Sequence, residues 1–83
     1  MGTRVKFSTK FERALADAPR STQRKFDRQL GFLLNDIKHP SLRAKKYDKT
    51  QGIWQARVDR NWRFYFIIDN DAYYLIDIIP HPK

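Results

Sequence analysis

The sequence predicts an α+β fold of order β-α-α-β-β-β, an antiparallel sheet with a two-helix hairpin packed on one face. Three observations predict it. Phe26, Leu30, Leu33, Leu34 and Ile37 recur at helical spacing and make one apolar stripe. Apolar and polar residues alternate through Ile53–Asp59 and Trp62–Asp69. Short polar turns at Asp59–Asn61 and Asp69–Asp71 link the last three strands as hairpins, which forces them antiparallel. A sheet of this kind needs cover on one face, and the two helices supply it.

The elements follow in order. Arg4-Val5-Lys6-Phe7 alternates and reads as a short first strand, with Val5 and Phe7 on its buried side or at its edge. Thr9 followed by Glu12 has capping-box spacing, which starts a helix whose inward stripe is Phe11, Leu15 and Ala18. Pro19 cannot continue that helix but suits the first turn of another, so residues 17–20 make a tight break. The second helix runs until His39-Pro40, because the residue before a proline avoids the helical region, and His39 reads as its C-terminal cap. Residues 41–52 read as a polar connector. Ala72–Ile79 is the last strand, apolar on both sides except at Asp77, which suits a central position.

Alternation also divides the strands into faces. Trp54, Ala56, Val58, Trp62, Phe64 and Phe66 turn toward the helices, so both tryptophans read as core. Gln55, Arg57, Arg63 and Tyr65 turn to the side that no helix covers. Two arginines on adjacent strands of one face repel each other unless an anion or acceptor lies between them, which favours reading Arg57 and Arg63 as site residues over solvated charge on an open sheet face. Arg60, in the turn, reads as plain surface charge. Asp77 needs a partner, and a strand arginine is the simplest one.

The 83 residues make one domain, Met1–Lys83, with a net charge of +8. The charge is uneven: residues 1–49 hold 13 Lys+Arg against 5 Asp+Glu, and residues 50–83 hold 4 against 4. Such a field disfavours compactness by self-repulsion and points to a polyanion or an acidic protein as partner. Arg20, Arg24 and Arg28 repeat along the outer side of the second helix, and Lys45, Lys46 and Lys49 crowd the connector with Tyr47. With no cysteine, neither a disulfide nor a thiolate metal site is available, in keeping with a reducing cytoplasm. The N-terminal residues have no apolar run of signal-peptide length. The stretch from Tyr73 to Pro80 is too short to span a bilayer, so no membrane association is expected.

An ordered set of residues resembles the RelE/ParE superfamily of bacterial type II toxins. It comprises Pro19 between two helices, His39-Pro40-Ser41-Leu42 with Lys45-Lys46 beyond it, Gly52-Ile53-Trp54 opening a strand, Arg57, Trp62-Arg63, and His81 near the end. The resemblance implies a RelE-like fold over nearly the whole chain. It also implies a ribosome-dependent endoribonuclease that cleaves messenger RNA and so inhibits translation. In this reading Arg57 and Arg63 hold the scissile phosphate and His81, stiffened by Pro80 and Pro82, transfers a proton. Lys45, Lys46, Lys49, Tyr47 and Tyr65 contact the RNA, and Arg20, Arg24 and Arg28 grip ribosomal RNA. The implied partners are messenger and ribosomal RNA and a cognate antitoxin with an acidic helical segment. Operator DNA is reached only through that antitoxin, and no metal or other cofactor is implied. The chain departs from the family pattern where relatives carry arginines near the terminal histidine, since Ile76, Ile79 and Pro80 stand there. A gyrase-inhibiting ParE-like toxin and a non-catalytic nucleic-acid-binding domain remain open on the same fold.

Overall fold

A computed structural model describes residues 4–81, which form two helices and five strands. Strand β1 is Arg4–Phe7, helix α1 Thr9–Asp17 and helix α2 Arg20–Asn35; strands β2 to β5 are Lys45–Asp48, Ile53–Arg57, Trp62–Asp69 and Ala72–Pro80. They build one sheet of order β1-β5-β4-β3-β2. The α+β order and the helix-covered face are as the sequence predicts, with two additions. The sheet is mixed, because β1 runs parallel to β5 after the helical hairpin carries the chain across. The supposed connector contains β2, which pairs antiparallel with β3 through Lys45↔Gln55 and Lys46↔Trp54. A lysine-rich strand at a sheet edge resists pairing with other chains, and its polar composition hides it among loop residues.

The core lies between the helices and one sheet face. Phe11 and Phe26 meet Phe64, Phe66, Leu75 and Ile78, with Leu33, Ala56 and Val58 filling in. Ring centroids step from Phe11 to Phe26 at 5.1 Å, on to Phe64 at 5.3 Å and to Phe66 at 5.8 Å, within the range of favourable aromatic pairs. Leu42, beyond α2, is fully buried in the same core and anchors the chain ahead of β2.

Both helix ends differ in detail from expectation. Ser8, not Thr9, caps α1: its Oγ accepts the Phe11 N–H at 2.9 Å and donates to the Ile76 carbonyl at 3.2 Å. At the break, the Gln23 amide donates to the Leu15 and Ala18 carbonyls at 3.0 and 3.1 Å, tying α2 to the C-terminal end of α1. Helix α2 stops at Asn35, ahead of His39-Pro40. His39 is therefore no helix cap. Its ring stacks on Phe32 with centroids 3.8 Å apart, and its Nδ1 accepts the Ser41 N–H at 3.1 Å, folding residues 36–42 into a tight turn. Asp77 pairs with Lys10 at 3.3 Å and not with a strand arginine.

Candidate nucleic-acid interface

On the face that the helices leave open, Arg43, Lys45, Gln55, Arg57 and Arg63 line a cavity of about 260 Å³. The sheet assembles it. Arg57 of β3 and Arg63 of β4 are direct cross-strand partners, and Lys45 of β2 stands opposite Gln55. Four cations and one amide line the cavity without a carboxylate, so it favours an anion.

Each arginine is held differently. The Arg63 Nη1 donates to the carbonyls of Asp59 at 2.7 Å and Trp62 at 3.0 Å, which fixes its guanidinium beside the β3–β4 turn. Arg57 is half-buried, and its Nε is buried without a hydrogen-bond partner. Its main chain is fixed at both ends: the N–H donates to the Leu42 carbonyl at 2.8 Å, and the carbonyl accepts from Gln29 Nε2 at 2.7 Å. Burial, and then the charges of Arg43, Arg63 and Arg60, push the Arg57 guanidinium below its ordinary pKa, with Asp59 opposing. An arginine does not lose its proton in such a place. The strain on the cation is instead a standing attraction for a bound anion. A guanidinium with a free donor edge suits phosphate oxygens in particular.

The other predicted site residues divide. Lys45 lines the cavity, but Lys46 turns to the helix-side face and sits 5.9 Å from the centroid of the Trp54 ring. Lys49 is exposed in the β2–β3 turn, away from the cavity lining. Tyr47 and Tyr65 lie together edge to face on the open side, with centroids 5.0 Å apart, and the Tyr65 hydroxyl accepts from Gln55 Nε2 at 3.0 Å. His81 is exposed. Its N–H is tied to the Asn61 carbonyl at 2.6 Å, and it is not among the cavity-lining residues. Pro82, expected to stiffen it, lies outside the described residues. Arg20, Arg24 and Arg28 are exposed along α2, and Arg60 is turn charge as expected.

Two residues escaped sequence reasoning. Arg43 joins the cavity from a backbone of φ 47°, a left-handed conformation that non-glycine residues adopt at a cost and that recurs at functional sites. Gln29, only 4% exposed, ties α2 to the site strand: its Nε2 also donates to the Ser41 carbonyl at 3.0 Å, and its Oε1 accepts from Ser41 Oγ at 2.9 Å. A signal for Gln29 was present, because it lies three residues after Phe26 and four before Leu33, inside the apolar stripe. Among the described residues, no three of His, Cys, Asp or Glu gather as a metal site requires. None of the described helices is long and apolar enough to cross a membrane.

A small basic α+β domain with a cationic cavity on the uncovered sheet face is the class this geometry defines. Neither a family model nor a curated protein sequence matches the chain. Solved structures do. The chain is similar to one in the archaeal RelE–RelB complex from Pyrococcus horikoshii, with a TM-score of 0.78, 19% identity and 96% of each chain covered. It is similar to one in the Escherichia coli DinJ–YafQ toxin–antitoxin complex, with a TM-score of 0.78, 13% identity and 95% and 93% covered. The RelB–RelE antitoxin–toxin complex from Methanococcus jannaschii gives a TM-score of 0.75 at 14% identity, covering 90% and 88%. The chain thus has the RelE-type toxin fold across nearly its whole length, as the resemblance in sequence implied.

Proposed function

We propose that this protein is the toxin of a type II toxin–antitoxin pair and cleaves messenger RNA at the ribosome. The observation that carries the reading is the half-buried, unpartnered Arg57 guanidinium facing Arg63 across a cavity of cations. The RelE-type fold supports it, because that fold occurs in structures described as toxin–antitoxin complexes.

The cavity's chemistry suits an RNA phosphate. The 2′-hydroxyl of the upstream nucleotide attacks the adjacent phosphorus while a base removes its proton. Charge builds on the phosphorane oxygens, and the bond to the 5′ oxygen breaks as that oxygen takes up a proton. The products are a 2′,3′-cyclic phosphate and a free 5′-hydroxyl. Arg57 and Arg63 hold the phosphate and stabilise the developing charge. Each such preorganised donor contributes on the order of 10²–10³ in rate. The resemblance assigns proton transfer to His81, which stands outside the cavity lining; a positioned acid or base of this kind is worth roughly 10²–10⁴. Lys45 and Arg43 complete the anion cradle. The exposed arginines of α2 grip ribosomal RNA, where phosphate contacts give affinity without reading sequence. The basic first half of the chain is complementary to an acidic antitoxin segment.

The test is cleavage of a defined messenger on programmed ribosomes, mapped by primer extension, for wild type, Arg57→Ala, Arg63→Ala and His81→Gln. Cuts made by wild type and lost in the arginine variants are expected. If wild type leaves the message whole while Arg63→Ala still relieves growth arrest, the target is not messenger RNA, and a gyrase-directed toxin becomes the reading to pursue.

A further inference from the structure

Next to the arginine cavity lies a second one of about 200 Å³, lined by Tyr47, Ile53, Tyr65, Ile76, Asp77 and Ile79. That is several times the ~30 Å³ share of a water molecule in the liquid. Two irregularities in the sheet shape it. The β2–β3 register slips between Lys46 and Asp48, leaving Tyr47 as the extra residue. The β4–β5 register slips so that Tyr65 faces Asp77 while Phe66 faces Leu75, leaving Ile76 extra. Bulges re-aim side chains and gather beside active sites. Here the strands on either side of the β3–β4 pair each carry one, and the residues they displace line the same cavity. The second bulge is braced by Ser8, whose Oγ donates to the Ile76 carbonyl.

The chemistry of the lining is specific. Tyr47 is 60% exposed and offers a ring face, with apolar walls from the three isoleucines and a mostly buried Tyr65 behind. Asp77 is the sole charge. One of its carboxylate oxygens accepts the Ile78 N–H at 2.9 Å and the other meets Lys10 at 3.3 Å. An ionised carboxylate has about four acceptor sites, so two remain for a ligand in the cavity that Asp77 lines. A planar group that stacks on tyrosine and donates two parallel hydrogen bonds fits this lining.

The two cavities are joined. Gln55 lines the first and donates to the Tyr65 hydroxyl of the second. The Gln55–Tyr65 pair stands two residues along the strands from Arg57–Arg63, a separation of about 7 Å. A phosphate in one cavity therefore places the base of the same or adjoining nucleotide at the other.

We infer that the Tyr47–Tyr65–Asp77 cavity is a nucleobase subsite that selects bases presenting amino and ring N–H donors, guanine above all. This rests on the proposed reading of Arg57 and Arg63 as a phosphate site. Guanine offers two adjacent donors to the carboxylate. Adenine and cytosine offer an amino group alone, and uracil sets its one N–H between two carbonyls that the carboxylate repels.

The test is an NMR titration of the full chain with orthophosphate and with GMP, IMP, AMP, CMP and UMP. Orthophosphate should shift signals of the first cavity, Arg43, Lys45, Arg57 and Arg63, and leave Tyr47, Ile76 and Asp77 unmoved. GMP should also shift Tyr47, Tyr65, Ile76 and Asp77, and bind roughly five- to tenfold tighter than UMP. IMP lacks the exocyclic amine and should bind wild type more weakly than GMP, a comparison that needs no variant. Asp77→Asn keeps an acceptor for Ile78 and should bring the nucleotides within about twofold of one another. Tyr47→Ala should weaken all of them without changing their order. Equal binding of all five nucleotides, or shifts confined to the first cavity, overturns the subsite while leaving the phosphate site standing. Shifts at Tyr65 and Ile76 with an acidic, leucine-bearing peptide but none with GMP assign the cavity to a protein partner and also overturn it. Arginine signals unmoved by orthophosphate defeat the phosphate reading itself.

Discussion

The two faces of the sheet are written by the same strands, one residue apart, and they obey opposite rules. On the helix side Ala56, Phe64, Phe66, Leu75 and Ile78 are buried and satisfied by packing alone. On the open side Gln55, Arg57, Arg63 and Tyr65 hold polar atoms at partial or full burial, and one of them, Arg57 Nε, has no partner. The first face lowers the free energy of the fold. The second keeps like charges as neighbours, which costs stability and persists where an anion is to be bound. Substitutions on one face should therefore read out as stability, and on the other as activity.

The largest effect is expected from the helix face. Phe64→Ala removes a fully buried ring that packs on Phe26 and Phe66. The expected loss is about 3–5 kcal/mol, measured by urea or thermal unfolding. For a domain this small, that lowers Tm by well over 10 °C. Next comes Arg57→Ala, expected to cut the cleavage rate on the order of 10²–10³ while leaving Tm unchanged or raised, since it relieves repulsion from Arg43 and Arg63. A Tm that falls as far as in Phe64→Ala would mean the two faces are not separable. Arg57→Lys sharpens the point: it keeps the charge but not the guanidinium fork, so most of the activity should still be lost.

Gln29 crosses the division, and its effect should be intermediate. Gln29→Leu fits the stripe of α2 by volume but strands the Arg57 and Ser41 carbonyls, which should cost about 1–3 kcal/mol in unfolding experiments. It also frees the main chain of Arg57 from α2, so cleavage should fall beyond what the unfolded fraction explains. A rate that tracks the folded fraction alone restricts Gln29 to the fold.

These residues also mark how far the sequence was legible. The faces of β3 and β4 could be read because one side is aromatic and the other polar, so the two-residue period shows. β2 could not, because an edge strand of lysines is polar on both sides and its bulge at Tyr47 breaks the period. The bulge at Ile76 was silent for the opposite reason: it sits in an apolar run, where an extra residue shifts no visible pattern. Arg43 gave no sign, since nothing in an arginine announces a left-handed backbone. Asp77 was rightly seen to need a partner, but Lys10 reaches it from α1, and a pairing across 67 residues leaves no local trace.

The smallest effect should come from the row that belongs to neither face. Arg20, Arg24 and Arg28 lie along the exposed side of α2, among solvated residues. If they contact ribosomal RNA, replacing all three by glutamine should lower the slope of log affinity against log salt by about 0.7–0.9 for each phosphate no longer neutralised. Tm and the cleavage rate of the bound complex should stay as in wild type, because neither the core nor the arginine cavity is touched. The measurement is ribosome binding across a salt series, run beside Arg57→Ala. A parallel pair of lines for wild type and the triple variant would make the α2 row an ordinary solvated helix face. Steering by the basic first half would then have to come from Arg43 and Lys45, which already stand at the cavity.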